Sequence, residues 1–177
     1  MGVAIPVWRS VAYAVAWQAA WFATVLPAAH GLPWVGLLAA VPVVLLAGWD
    51  RWPRVLHVIA VSLAIGIAVD AVLGLSGAAA YPGGVHDGRL SPPWMWVLWI
   101  ELGLALDLCL GWLRRAWWLA PVFGAVGGAL SYRAGVALGA MEAPHGQLVL
   151  VLAVAAAYLV AFPLLVKLCS TTSPSPA

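Results

Sequence analysis

Charge is the scarcest property of this chain. Only 8% of its 177 residues are charged and 65% are hydrophobic, whereas soluble domains carry about 25% charged residues. So few charges cannot clothe a water-facing globule. The net charge of +2 excludes the dense basic surface that nucleic acid needs, so no nucleic-acid partner is expected. Cysteine is nearly absent. Cys109 and Cys169 are the only two, with no histidine at ligand spacing, so neither a disulfide framework nor a zinc motif is expected. The chain also lacks a Gly-rich phosphate loop, a G-x-S-x-G elbow and an H-E-x-x-H pair. The sequence therefore gives no reason to expect a metal or a cofactor.

What the chain has instead is long hydrophobic runs. A helix crosses a bilayer with about 20 mostly apolar residues. Segments 8–28, 34–49, 55–76, 93–113, 117–140 and 148–168 meet or approach that length. This pattern predicts an all-α integral membrane bundle of six transmembrane helices. One transmembrane domain covers 1–169, and a Ser/Thr/Pro-rich disordered tail covers 170–177. The first segment lacks a small-x-small cleavage site and exceeds a signal-peptide core, so it reads as a retained span. Arg9, Arg51, Arg54, Arg114, Arg115 and Lys167 fall on one side of this arrangement, and only Arg89 lies in a loop on the other. The positive-inside rule then puts both termini in the cytoplasm. Trp34, Trp49, Trp52, Trp94, Trp112, Trp117 and Trp118 sit near span ends, where indoles prefer the interface. The longest outer loop, 81–92, reads YPGGVHDGRLSP and is rich in turn signals.

Against this background the charges inside the runs stand out. Asp70, Glu101, Asp107 and Arg133 each lie within an apolar segment, where ionisable groups are costly and functional by default. Three carboxylates face one arginine, so at least one acid is expected to be protonated or to meet a cation. At 1.5 Å per residue, Asp70 lies about 22 Å from the inner edge, Arg133 about 24 Å from it, and Glu101 about 12 Å from the outer edge. These matched depths predict that Arg133 pairs with Asp70 or Glu101. Asp107 lies nearer the inner edge.

The flanking residues suggest a pocket. Ser62, Gly66, Asp70 and Gly74 recur every four residues on one helix face, so a neighbour can approach the Asp70 carboxylate closely. Gly124, Gly128, Ser131, Gly135 and Gly139 form a small-residue packing ladder from which Arg133 points away. Trp17, Trp21, Trp96 and Trp99 are too deep to belong only to an interfacial belt. With Gln18 and Tyr132 they form the expected walls of an aromatic pocket beside the acids. Aromatic faces stabilise cations, and a neutral carboxylic acid in an apolar site can act as a general acid. Glu101, Asp70, Arg133 and Asp107 are therefore the candidate catalytic residues, and Trp17, Gln18, Trp21, Trp96, Trp99 and Tyr132 the candidate substrate-binding residues.

Three segments carry a resemblance: AAHGLPWVG (28–36), PPWMWVLW (92–99) and SYRAGVALGA (131–140). Together they resemble a family of small bacterial inner-membrane proteins of unassigned function, over most of the chain. The family pattern has an Asn-His-Ser triplet in the fourth span, where this chain has Asp107-Leu108-Cys109. The resemblance implies a compact multi-pass helical protein of the bacterial inner membrane. Some members are encoded near lipid-modifying enzymes, but no reaction is implied.

The expected function is acid catalysis on a membrane lipid or isoprenoid in an aromatic-walled pocket of the outer half of the membrane. One alternative is a small-molecule binding subunit or transporter resembling the substrate-binding subunits of vitamin importers. The other is a structural or accessory membrane protein. The expected partner is a membrane lipid or hydrophobic small molecule. Ala12, Ala16, Ala20 and Ala23 offer a small-residue stripe for a helix-packing partner or a homo-oligomer.

Overall fold

The computed structural model describes residues 7–48 and 51–170. Trp49, the tail beyond Ser170 and the side chain of Arg9 lie outside what it describes. Six long helices carry the fold: α1 (Val7–Ala29), α2 (Trp34–Gly48), α3 (Trp52–Leu75), α5 (Pro93–Leu108), α6 (Ala120–Ala137) and α7 (Gln147–Ser170). A single turn, α4 (Val85–Gly88), interrupts the longest connection. The described residues form no strand, only the isolated bridges Ala80–Glu142 and Val85–Leu90. Three helical stretches are long and apolar enough to cross a membrane, namely Ser10–Ala29, Trp52–Leu75 and Gln147–Ser170, and Trp34–Leu45 is a shorter apolar one.

The helix ends follow local chemistry. Proline opens α3, α5 and α6 within the first two positions, where its missing N–H costs nothing. Gly77 follows α3 at φ +75, a conformation glycine adopts without a Cβ penalty. The fourth apolar run stops as a regular helix at Leu108, short of the expected 113. Two 3₁₀ turns, Gly111–Arg114 and Trp117–Leu119, then lead into α6. This reversal buries Leu113 completely and carries Arg114 back to Asp107 at 2.6 Å.

α5 is the central helix and packs against α1, α2, α3 and α7, while α6 leans mainly on α7. Between apolar helices in an apolar medium, close packing rather than water exclusion supplies the attraction. The small residues provide it. A Cβ on Gly128 would lie 2.6 Å from the Tyr158 ring, and one on Gly124 would intrude on Phe162. Gly66 admits the Trp99 indole against α3, and Gly103 admits Ser62 against α5.

Two poles close the bundle. At one, Arg54 of α3 donates to Asp107 at 2.7 Å and to the Cys169 carbonyl at the end of α7 at 2.6 Å. His57 meets the Leu168 carbonyl beside it at 3.0 Å. At the other pole, His145 meets the Gly77 carbonyl at 2.8 Å. The 76–92 connection there buries Ala78, Ala79, Tyr81 and Ser91, so it is a packed cover over that end of the bundle. Ala20 of the alanine stripe is buried inside the bundle, whereas Ala12 and Ala23 are exposed.

Candidate functional site

A cavity of about 430 Å³ opens between α1 and α6, with α5 and α7 behind it. That volume falls within the usual range for small-molecule sites, roughly 300–1,000 Å³. Its walls are apolar and largely aromatic: Trp17, Trp21 and Phe22 from α1, Leu98, Trp99 and Leu102 from α5, Phe123 and Leu130 from α6, and Tyr158 and Phe162 from α7. The α6 glycines Gly127 and Gly128 leave room between these rings. Phe22, Phe123 and Leu130 on the rim are 44%, 42% and 59% exposed, so the mouth itself is hydrophobic. Polar groups are few. Gln18, Ser131 and Tyr132 reach the lining, and the Trp21 indole N–H donates to the Ser131 hydroxyl at 3.1 Å across the gap.

Behind this wall lies Asp70, wholly buried. The Tyr132 hydroxyl donates to its Oδ1, and the Trp99 indole N–H donates to its Oδ2 at 3.2 Å. The Ser91 hydroxyl also faces the carboxyl while accepting from the Trp96 indole at 3.2 Å. Asp70 thus sits among neutral donors. The donors are themselves braced: Trp99 stacks on Tyr158 with centroids 5.2 Å apart, and Tyr158 meets Tyr132 edge-on at 6.1 Å. Tyr81 reaches down from the connection to donate to the Asp70 backbone carbonyl at 3.2 Å. Burial pushes the Tyr81 phenol above its ordinary range, so it remains a donor.

Five of the six wall residues expected from sequence, Trp17, Gln18, Trp21, Trp99 and Tyr132, meet around this one cavity. Trp96 does not reach it and turns to Ser91 instead. Of the four charged candidates, Asp70 is one hydrogen bond from the cavity. Glu101 lies on another face of α5, fully buried, with Thr24 Oγ1 at 3.5 Å from its Oε1. Asp107 is at the opposite pole from the 76–92 cover, held by Arg54 and Arg114.

The expected pairing of Arg133 with Asp70 or Glu101 is not formed. Arg133 is exposed, and the ion pairs among the described residues are those of Asp107. Matched depth was the wrong criterion, because consecutive helical residues point about 100° apart. Tyr132 takes the inward position, so Arg133 faces out. It lies four residues before the end of α6, or roughly 6 Å along the axis.

Sequence reasoning missed Tyr81, Ser91 and Tyr158. The glycine ladder of α6 signals large partner rings, but nothing in the sequence says that they come from α7. Among the described residues, no group of three His, Cys, Asp or Glu side chains gathers as a metal site.

These features define an all-helical protein with membrane-length apolar helices and an apolar cavity backed by a buried carboxyl. The chain belongs to the family described as "Protein of unknown function (DUF2878)", which it matches over residues 10–164. No curated protein and no solved structure matches it.

Proposed function

We propose that this protein is a six-span enzyme of the bacterial inner membrane, with cytoplasmic termini, that takes a lipid or isoprenoid into the α1–α6 cavity for proton-transfer chemistry. One observation carries this reading: Tyr132 lines the apolar cavity and, through its hydroxyl, hydrogen-bonds the buried Asp70. A ligand in the cavity meets Asp70 through the Tyr132 oxygen. In acid catalysis this hydrogen bond reverses: the Asp70 carboxylic O–H donates to the Tyr132 oxygen, the Tyr132 O–H turns to the ligand, and that O–H bond breaks as a bond from hydrogen to a ligand carbon forms. The proton held by Asp70 then moves to the Tyr132 oxygen, so the net transfer is one proton from Asp70 to the ligand. A cationic ligand formed in this way lies among the faces of Trp17, Trp21 and Trp99, which favour it electrostatically. The hydrophobic rim supports entry from the bilayer. Six spans require α5 and α6 to cross with the turns that extend them, and the Arg54–Arg114 pole to face the cytoplasm.

The test compares lipid extracts of cells expressing the wild type, Tyr132→Phe and Asp70→Asn by mass spectrometry. The wild type should create or consume a lipid species, and both variants should lose that change while still accumulating in the membrane. Unchanged turnover in Tyr132→Phe would remove the proposed proton path.

A further inference from the structure

The interface between α1 and α5 contains polar groups that the Tyr132–Asp70 pair does not use. Glu101 is fully buried, and its Oε2 has no hydrogen-bond partner among the described residues. The Tyr13 hydroxyl on α1 is likewise buried and unpartnered. Among the described residues Glu101 is bonded by Thr24, also on α1. The ion pairs among those residues belong to Asp107 and leave Glu101 without a counterion, and α2 has no ionisable residue in its sequence. Glu101 and Asp107 stand six residues apart on α5, about 9 Å along its axis, and α1, which carries Tyr13, packs against α5.

Buried polar atoms without partners are uncommon, and an unseen water or ion is a usual explanation. An ionised Glu101 would leave one oxygen unsolvated with no counterion, the most costly form of burial. A neutral acid turns Oε2 into a donor to which a water can be the acceptor, and Tyr13, eleven residues before Thr24 on α1, stands roughly 16 Å further along that helix.

We propose that Glu101 is a separate proton-binding site, supplied from the Asp107 pole by water that passes Tyr13. Proton uptake forms the Oε2–H bond and breaks an O–H bond of the adjacent water, which recovers its proton from solvent at that pole. This site does not depend on the lipid chemistry proposed above.

The test is infrared spectroscopy of the purified full chain during exchange from H₂O into D₂O. A protonated, exchangeable carboxyl gives a C=O band that shifts down on deuteration. The band should be present in the wild type and Asp70→Asn and absent from Glu101→Gln. Tyr13→Phe should keep the band but slow its isotope shift several-fold. Thr24→Val, which removes the one hydrogen bond to Oε1, should move the same band and so identify it if Glu101→Gln fails to fold. In the Asp70→Asn background, which removes any carboxyl band of Asp70 itself, the absence of a band, a band untouched by both Glu101→Gln and Thr24→Val, or exchange as fast with Tyr13→Phe as without it would overturn the proposal.

Discussion

Tyr132 donates its hydroxyl to Asp70 from a helix more than sixty residues further along the chain, and this contact joins the cavity to the buried acid. Tyr132 faces the cavity and Asp70 does not. The acid is therefore addressed through a phenol, inside a cage of neutral donors.

The close approach of Trp99 to α3 should be sensitive to a single methyl group. A Cβ on Gly66 would overlap the Trp99 indole. Gly66→Ala should displace that ring, weaken its hydrogen bond to Asp70 and cost about 1–3 kcal/mol, the usual penalty for overpacking. Thermal unfolding and Trp fluorescence of the variant measure both effects. An unaltered spectrum would show that the indole has slack that this packing does not allow.

Two adjacent glycines should behave in opposite ways. Gly128→Leu drives a side chain into the Tyr158 ring, 2.6 Å from the added Cβ, and should lower membrane yield sharply. Gly127 has no atom within 4 Å of an added Cβ, so Gly127→Leu should fold normally and fill the cavity. Its helix propensity even favours folding, by up to about 1 kcal/mol. Yield and thermal stability of the purified variants separate the two, and equal losses would mean the cavity is not open at Gly127.

Asp107 should matter for stability. It bonds Arg54 and Arg114, and Arg54 also caps α7 through the Cys169 carbonyl. Asp107→Asn removes the charge from two charge-assisted hydrogen bonds and should destabilise the bundle by about 2–3 kcal/mol. The proposed reaction should survive in the protein that remains folded. Loss of turnover at full stability would instead move Asp107 into the chemistry.

Reporter fusions test the six-span arrangement. Fusions after Arg54 and Arg115 should read cytoplasmic, and one within 81–92 should read external. A cytoplasmic reading for 81–92 would invert or break the proposed topology.

The helices were largely legible because apolar run length and the prolines that open several of the runs are local properties. Most of the cavity lining was legible too: Trp17 and Trp21 recur at helical spacing, and deep tryptophans need neighbours. What one dimension does not hold is azimuth between helices. Arg133 and Asp70 match in depth, yet the inward position on α6 belongs to Tyr132. Glu101 and Trp99 share a helix but face different neighbours, which the fourth apolar run does not encode because nearly every position in it is hydrophobic. Tyr81 and Ser91 lie in a polar, turn-rich stretch, and their burial follows from the way 76–92 folds back over the bundle.

The central claim is that the α1–α6 cavity holds a long-chain apolar ligand. Native mass spectrometry of the protein purified in mild detergent tests it most directly, with the wild type beside Gly127→Leu. The wild type should retain a lipid or isoprenoid, and Gly127→Leu should lose it while remaining folded. A wild type with no ligand, a soluble vitamin in place of a lipid, or equal lipid retention by Gly127→Leu would contradict the claim.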